Sequence, residues 1–177
     1  MFGSGGDGLM NLRSLSPRDL GLACAALALA LDQGSKLLLL YVFHFIEEGP
    51  HQIQVLPFFN LVMVWNPGVS YGLFPARSPA GTALIVVLTM AAVAGLGWWL
   101  WRAGRPVLAA GLGLVIGGAL GNLVDRLIYT RVADFFHFYV RGFDWYVFNI
   151  ADCAIALGVG ALLYDAMMRP EVETGET

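Results

Sequence analysis

Charge is scarce in this sequence. Of 177 residues only 13% are Asp, Glu, Lys or Arg, about half the share usual in a soluble domain, while 58% are hydrophobic. That imbalance excludes an ordinary soluble globule and points to a membrane protein. Cysteine is scarce as well. Cys24 and Cys153 both lie in apolar stretches, which excludes a disulfide framework and leaves them as small hydrophobes. His44, His51 and His137 show no metal-ligand spacing and no thiol pairs with them, so no metal or other cofactor is expected. No basic patch is present and the formal net charge is −3, which removes nucleic acid from the partners.

Long apolar runs are what the sequence does have. Four stretches, about 20–43, 80–101, 106–128 and 147–168, are long enough to cross a bilayer as helices. The first is interrupted by Asp32 and Lys36. It does not read as a signal-peptide core, because Asp32-Gln33-Gly34-Ser35-Lys36 leads into more apolar residues instead of a cleavage site. A tight basic turn, Arg102-Ala103-Gly104-Arg105-Pro106, makes the second and third spans antiparallel neighbours. Between the first two spans, residues 47–77 carry β-branched residues punctuated by Pro57, Pro67, Gly68, Gly72 and Pro75, the pattern of a small β-rich element at the membrane surface. Residues 132–146, rich in Phe, Tyr and Trp, read as a short interfacial segment. The expected fold is therefore an all-α integral membrane protein of four transmembrane helices, with a small extracytoplasmic β-rich cradle. Residues 1–19 and 169–177 are expected as flexible tails. Basic residues divide five (Arg13, Arg18, Arg102, Arg105, Arg169) against four (Arg77, Arg126, Arg131, Arg141), which favours both termini inside.

Charged groups within a bilayer are costly, so the polar residues of the spans are the functional candidates. Asp32 and Lys36 lie toward the far end of span one. Asn122, Asp125 and Arg126 end span three, and Asn149 and Asp152 begin span four, with Asp134 in the link between. This antiparallel arrangement brings all of them toward the face opposite the termini. Asp32 and Lys36, four apart, share a helix face and read first as a packing salt bridge, with substrate contact as the alternative. Arg126 can hold a carboxylate with a bidentate fork, and reads either as neutralising its neighbour Asp125 or as a catalytic cation. Gly113, Gly117 and Gly121 repeat at the four-residue spacing that lets membrane helices approach closely.

A serine nucleophile is not supported, because Ser35 and Ser70 have no nearby base. The carboxylates remain. Two aspartates sharing one proton can hydrolyse an amide, one activating water and the other donating. Asp152 and either Asp134 or Asp125 are available. An apolar setting, with Ala133, Phe135 and Phe136 alongside, raises a carboxyl pKa and favours Asp134.

Five motifs in this order resemble the lipoprotein signal peptidases, or signal peptidase II. They are Asp32-Gln33-Gly34-Ser35-Lys36; Asn66-Pro67-Gly68-Val69-Ser70-Tyr71-Gly72; the run from Gly117 to Arg126 with Asn122 and Asp125; Val132-Ala133-Asp134-Phe135; and Phe148-Asn149-Ile150-Ala151-Asp152. Ser35 stands where the family usually has Thr, and Val69-Ser70-Tyr71 replaces a more typical Ala-Ala-aromatic run. The resemblance implies an aspartic endopeptidase of the bacterial cytoplasmic (inner) membrane that uses no cofactor. Asp134 and Asp152 would be its catalytic pair, with Asn66, Gly68, Asn122, Asp125, Arg126 and Asn149 bracing the site. Its substrate would be a diacylglyceryl-modified prolipoprotein, cut just before the lipidated Cys near the extracytoplasmic face. Membrane lipid would be its other partner, and the four-helix unit is expected to work as a monomer. The β-rich element and the 132–146 segment would act as cradle and lid.

Two other readings compete. A small transporter or proton channel also places charges in spans, but would show internal repeats or broken helices near the midplane. A non-catalytic scaffold would use the glycine-rich span for association and would tolerate Asp→Asn at Asp134 and Asp152.

Overall fold

The computed structural model describes residues 15–47, 52–69, 74–75 and 78–168. Expectations for residues 1–14 and 169–177, and for His51, Ser70, Tyr71, Gly72 and Arg77, fall outside the described residues.

Among the described residues, four helices are long and apolar enough to cross a membrane. Helix α1 runs Pro17–Leu37 and continues as a π-helical turn, Leu38–Val42. Strands β1 (Gln52–Leu56), β2 (Phe59–Asn66), β3 (Gly68–Val69) and β4 (Phe74–Pro75) follow, then α2 (Pro79–Trp101) and α3 (Pro106–Tyr129). Strands β5 (Val132–Val140) and β6 (Phe143–Asp144) precede α4 (Ile150–Met167). Helices α1, α2 and α3 each begin on a proline, whose missing N–H costs nothing in a first turn. Ser16 and Ser78 cap the first two by accepting the N–H of Asp19 at 3.2 Å and of Gly81 at 3.1 Å.

Helix α3 is the hub, and α1, α2 and α4 all pack on it. Its glycines make this possible. A Cβ on Gly113, Gly117 or Gly121 would collide with Gly21, Ala25 or Asp32 of α1, and one on Gly118 would collide with the Ala151 carbonyl of α4. Close approach of backbones is the main source of helix association where lipid supplies no hydrophobic drive. Large apolar side chains such as Leu27, Leu31, Leu84, Leu88, Leu157 and Leu163 are exposed on the outer faces of α1, α2 and α4.

The sequence treats 47–77 and 132–146 as two pieces, a cradle and an interfacial lid. The structure joins them instead. Strands β1, β2, β5 and β6 form one antiparallel sheet in that order, with Trp65 opposite Ala133 and Val64 opposite Asp134. The aromatic content of 132–146 that suggests an interfacial segment is equally that of a strand, and its pairing partner lies far away in sequence. Period-two alternation splits the two faces of β5. Ala133 and Phe135 point into a buried cluster with Leu39, Leu40 and Phe45, so Asp134 points the other way. A second cluster, Ala25, Leu100, Leu108, Ala109, Leu112 and Ile116, fills the other end of the bundle.

Candidate active site

Between those two apolar clusters lies a polar layer. Asp32, Lys36, Asp125, Arg126, Asp134 and Asn149 are all buried there, Asp32 completely. Burying so many polar groups is tolerable only if each finds a partner.

Asp134 is placed by the sheet. A β-bulge in β2, between Leu61 and Val64, lies beside it. Bulges of this kind re-aim side chains. On its other edge β5 is tied to the segment leading into α4, through Phe136 N–H to the Phe148 carbonyl at 2.8 Å. The Asp134 carboxylate accepts from Asn149 Nδ2 at 2.6 Å and from Asn66 Nδ2 at 3.1 Å. Burial and the nearby Asp152 push this carboxyl up to about 7, while the Asn66 and Asn149 amides and Lys36 pull it back.

Asp152 is placed by a helix cap. Asn149 Oδ1 accepts the N–H of Asp152 at 3.0 Å, and Asp152 Oδ2 accepts the N–H of Asn149 at 3.3 Å, a reciprocal capping box at the start of α4. Its other oxygen accepts from Asn122 Nδ2 at 3.1 Å. Asn122 in turn accepts from Asn149 at 3.1 Å, so a continuous chain of amides links the two aspartates. Both line one cavity of about 160 Å³ with Asn66, Asn122, Arg126, Ile85, Thr89 and Ile155. Such a space admits water beside fixed amide donors.

Asp32 and Asp125 sit behind this cavity, both on Lys36 Nζ at 2.8 Å. The expected pairing of Arg126 with Asp125 is therefore corrected. Adjacent helical residues diverge, and Asp125 turns toward α1 while Arg126 turns into the cavity. Arg126 donates to the Gly68 carbonyl at 2.7 Å and the Asn122 carbonyl at 3.1 Å, which ties β3 to α3. Gly68 N–H donates to Asn66 Oδ1 at 3.0 Å, fixing the amide that reaches Asp134. All the sequence candidates thus meet in one layer, with Gly68 contributing through its backbone.

Two participants escape the sequence reading. Gln33 Nε2 reaches Asp32, Asp125 and the Gly121 carbonyl at 3.1 to 3.2 Å. Its place beside Asp32 in a polar cluster is the signal that points to it. The Tyr146 hydroxyl accepts from Asn66 Nδ2 at 2.7 Å, and nothing in the sequence distinguishes it from the aromatics around it. Among the described residues, no three His, Cys, Asp or Glu side chains could hold a metal ion.

Against known proteins, the sequence model of the signal peptidase (SPase) II family matches residues 24–168. A lipoprotein signal peptidase of Beijerinckia indica is 46% identical over 157 residues, covering 89% of this chain and 93% of that protein. Another, of Methylocella silvestris, is 48% identical over 153 residues, covering 86% and 88%. A solved structure of a bacterial membrane enzyme superposes with a TM-score of 0.75 at 21% identity, over 89% of this chain and 93% of that one. A second gives 0.70 at 23% identity, over 85% and 94%. At those identities the structures speak to the fold.

Proposed function

The chain belongs to the signal peptidase II family, and we propose that it removes signal peptides from prolipoproteins as an intramembrane aspartic endopeptidase with Asp134 and Asp152 as its catalytic pair. The observation that carries this reading is the shared cavity, with the two carboxylates joined through Asn149 and Asn122. The pair holds one proton. Of the two, Asp134 is assigned that proton, its carboxyl being pushed up to about 7 by burial and by Asp152. Asp152 accepts a proton from water as the water oxygen bonds to the scissile carbonyl carbon. Asp134 protonates the carbonyl oxygen. Collapse of the tetrahedral intermediate breaks the C–N bond, returns a proton to the amine and regenerates the pair. The amide donors that ring both carboxylates are preorganised, so they need no rearrangement as charge moves.

The substrate on this reading is a prolipoprotein carrying diacylglyceryl on its Cys, cut on the amino side of that residue. Its acyl chains stay in the bilayer while the scissile bond enters between helices. On this reading the ends of α1 and α2 where Arg18 lies over Trp101 and Arg102 over Trp98 face the cytoplasm, and the site lies toward the opposite face.

Incubation of the purified protein with a diacylglyceryl-modified prolipoprotein tests this by gel shift. Cleavage by the parent, with Asp134→Asn and Asp152→Asn folded but slower by about 10³-fold, is the expected result. Failure of the parent on a substrate that a relative cleaves overturns the reading.

A further inference from the structure

Lys36 is the only lysine in the sequence, and its ammonium is buried. Its Nζ lies 2.8 Å from Asp32 and 2.8 Å from Asp125, so one cation serves two buried carboxylates. Each carboxylate holds a backbone N–H from another element. Asp32 Oδ1 accepts from Ala151 at 2.9 Å, and Asp125 Oδ2 accepts from Ala133 at 3.0 Å. Ala151 is the residue immediately before Asp152, and Ala133 the residue immediately before Asp134. The same ammonium donates to Asn122 Oδ1 at 3.3 Å, and that amide's Nδ2 meets Asp152 at 3.1 Å. An ammonium only donates, so it helps fix which end of the Asn122 amide faces Asp152.

We propose that Lys36 is a positioning residue for the Asp134–Asp152 pair, setting its register through the two clamped amides and its charge through the net −1 of the Asp32–Lys36–Asp125 group. A helix-packing salt bridge alone needs neither clamp. Nor would it require both carboxylates to hold the residues that precede the two members of the pair. The inference rests on the dyad reading above.

Other charged or titratable groups surround the pair. Arg126 faces it from α3, Tyr146 from the segment before α4 and Cys153 from α4; α2 contributes only Ile85 and Thr89. These stay constant in a series that varies the charge behind the pair. Asp125→Asn makes the Asp32–Lys36–Asp125 group neutral. The parent is −1, Lys36→Met/Asp125→Asn is again −1, and Lys36→Met is −2. Negative charge makes Asp134 hold its proton to higher pH. The alkaline limb of cleavage should therefore lie lowest in Asp125→Asn and highest in Lys36→Met, each about 1 pH unit from the parent, with the double variant coinciding with the parent. Lys36→Met should also cut cleavage on the order of 100-fold at neutral pH, from lost register.

The experiment is cleavage of a lipidated prolipoprotein in micelles from pH 5 to 9, with thermal unfolding of each variant. Should Lys36→Met not fold, Asp125→Asn against the parent and the charge-restored double variant still decides. Limbs that follow the charge order support the role. Limbs that stay fixed while rates fall reduce Lys36 to a packing residue and overturn it. Asp134→Asn and Asp152→Asn run alongside. Activity retained by either overturns the dyad reading, whereas both dead with unmoved limbs in the series overturns the role of Lys36 alone.

Discussion

Asn149 donates to Asp134 across the joint between helix and sheet, Nδ2 to Oδ1 at 2.6 Å. The same side chain caps α4 by accepting the N–H of Asp152 at 3.0 Å. One residue thus serves both stability and geometry, and substitutions can separate the two. Asn149→Ala should lose about 1–2 kcal/mol of stability through the missing cap and fall about 100-fold in cleavage. Serine caps equally well but is too short to reach Asp134. Asn149→Ser should therefore regain most of the stability and little of the activity. Melting temperatures and kcat on the two proteins check this; parallel recovery of both would contradict it.

Asp32 and Asp125 differ in what their oxygens face. Asp32 meets a donor at each oxygen, Ala151 N–H at one and both Lys36 and Gln33 at the other. An asparagine there sets its NH2 against a donor in either orientation. Asp125 meets Lys36 and Ala133 at Oδ2, but only the Gln33 amide at Oδ1, 3.2 Å away. Gln33 can move to suit an NH2. Asp32→Asn should cost about 3–5 kcal/mol, and Asp125→Asn about 1–2 kcal/mol. Chemical unfolding in detergent measures the difference, and equal losses would refute the assignment of partners.

Gly117 and Gly97 make a matched pair of helix glycines. A Cβ on Gly117 would press on the Ala25 backbone and come within 2.8 Å of Ala28 Cβ, whereas one on Gly97 meets nothing within 4 Å. Gly117→Ala should destabilise by about 1–3 kcal/mol by forcing α1 from α3. Gly97→Ala should be neutral or stabilise by up to about 1 kcal/mol. Thermal unfolding in one detergent ranks them.

The carboxyl of Asp134 is held at about 7, above its ordinary value of 3.8, chiefly by burial. Its raised folded-state pKa means that its contribution to stability is full below about 3.8 and is lost as pH rises through about 7. Parent stability should therefore drop between pH 6 and 8 relative to that of Asp134→Asn, whose side chain does not titrate. Cleavage should fall over the same rise, as the pair loses its shared proton. Paired melting curves at pH 6 and 8 test the first statement. A difference between the two proteins that does not change with pH would contradict it.

The helices are legible in the sequence because apolar length is a local property. So is the antiparallel logic that brings Asp32, Asn122 and Asp152 toward one level. The glycine spacing on α3 leads directly to the α1–α3 contact. What the sequence hides is pairing at long range. Which cation serves Asp125 depends on how α1 rotates against α3, and no local pattern encodes that angle. Residues 132–146 carry the composition of an interfacial segment and of a strand equally, until β2, 68 residues away at Asn66 and Asp134, supplies the other half of the ladder.

The hydrogen bond from Ala151 to Asp32 spans 119 residues, from α4 back to α1. A nascent chain that has inserted only its first three spans has no Ala151 to offer, and the Asp32 oxygen that receives it is left wanting in the bilayer. Asp152 itself arrives with the same late helix. The final span therefore brings in together one member of the proposed catalytic pair and a clamp that holds it. On this arrangement a chain without α4 has no cutting power, and the docking of that helix and the onset of proteolysis become the same event.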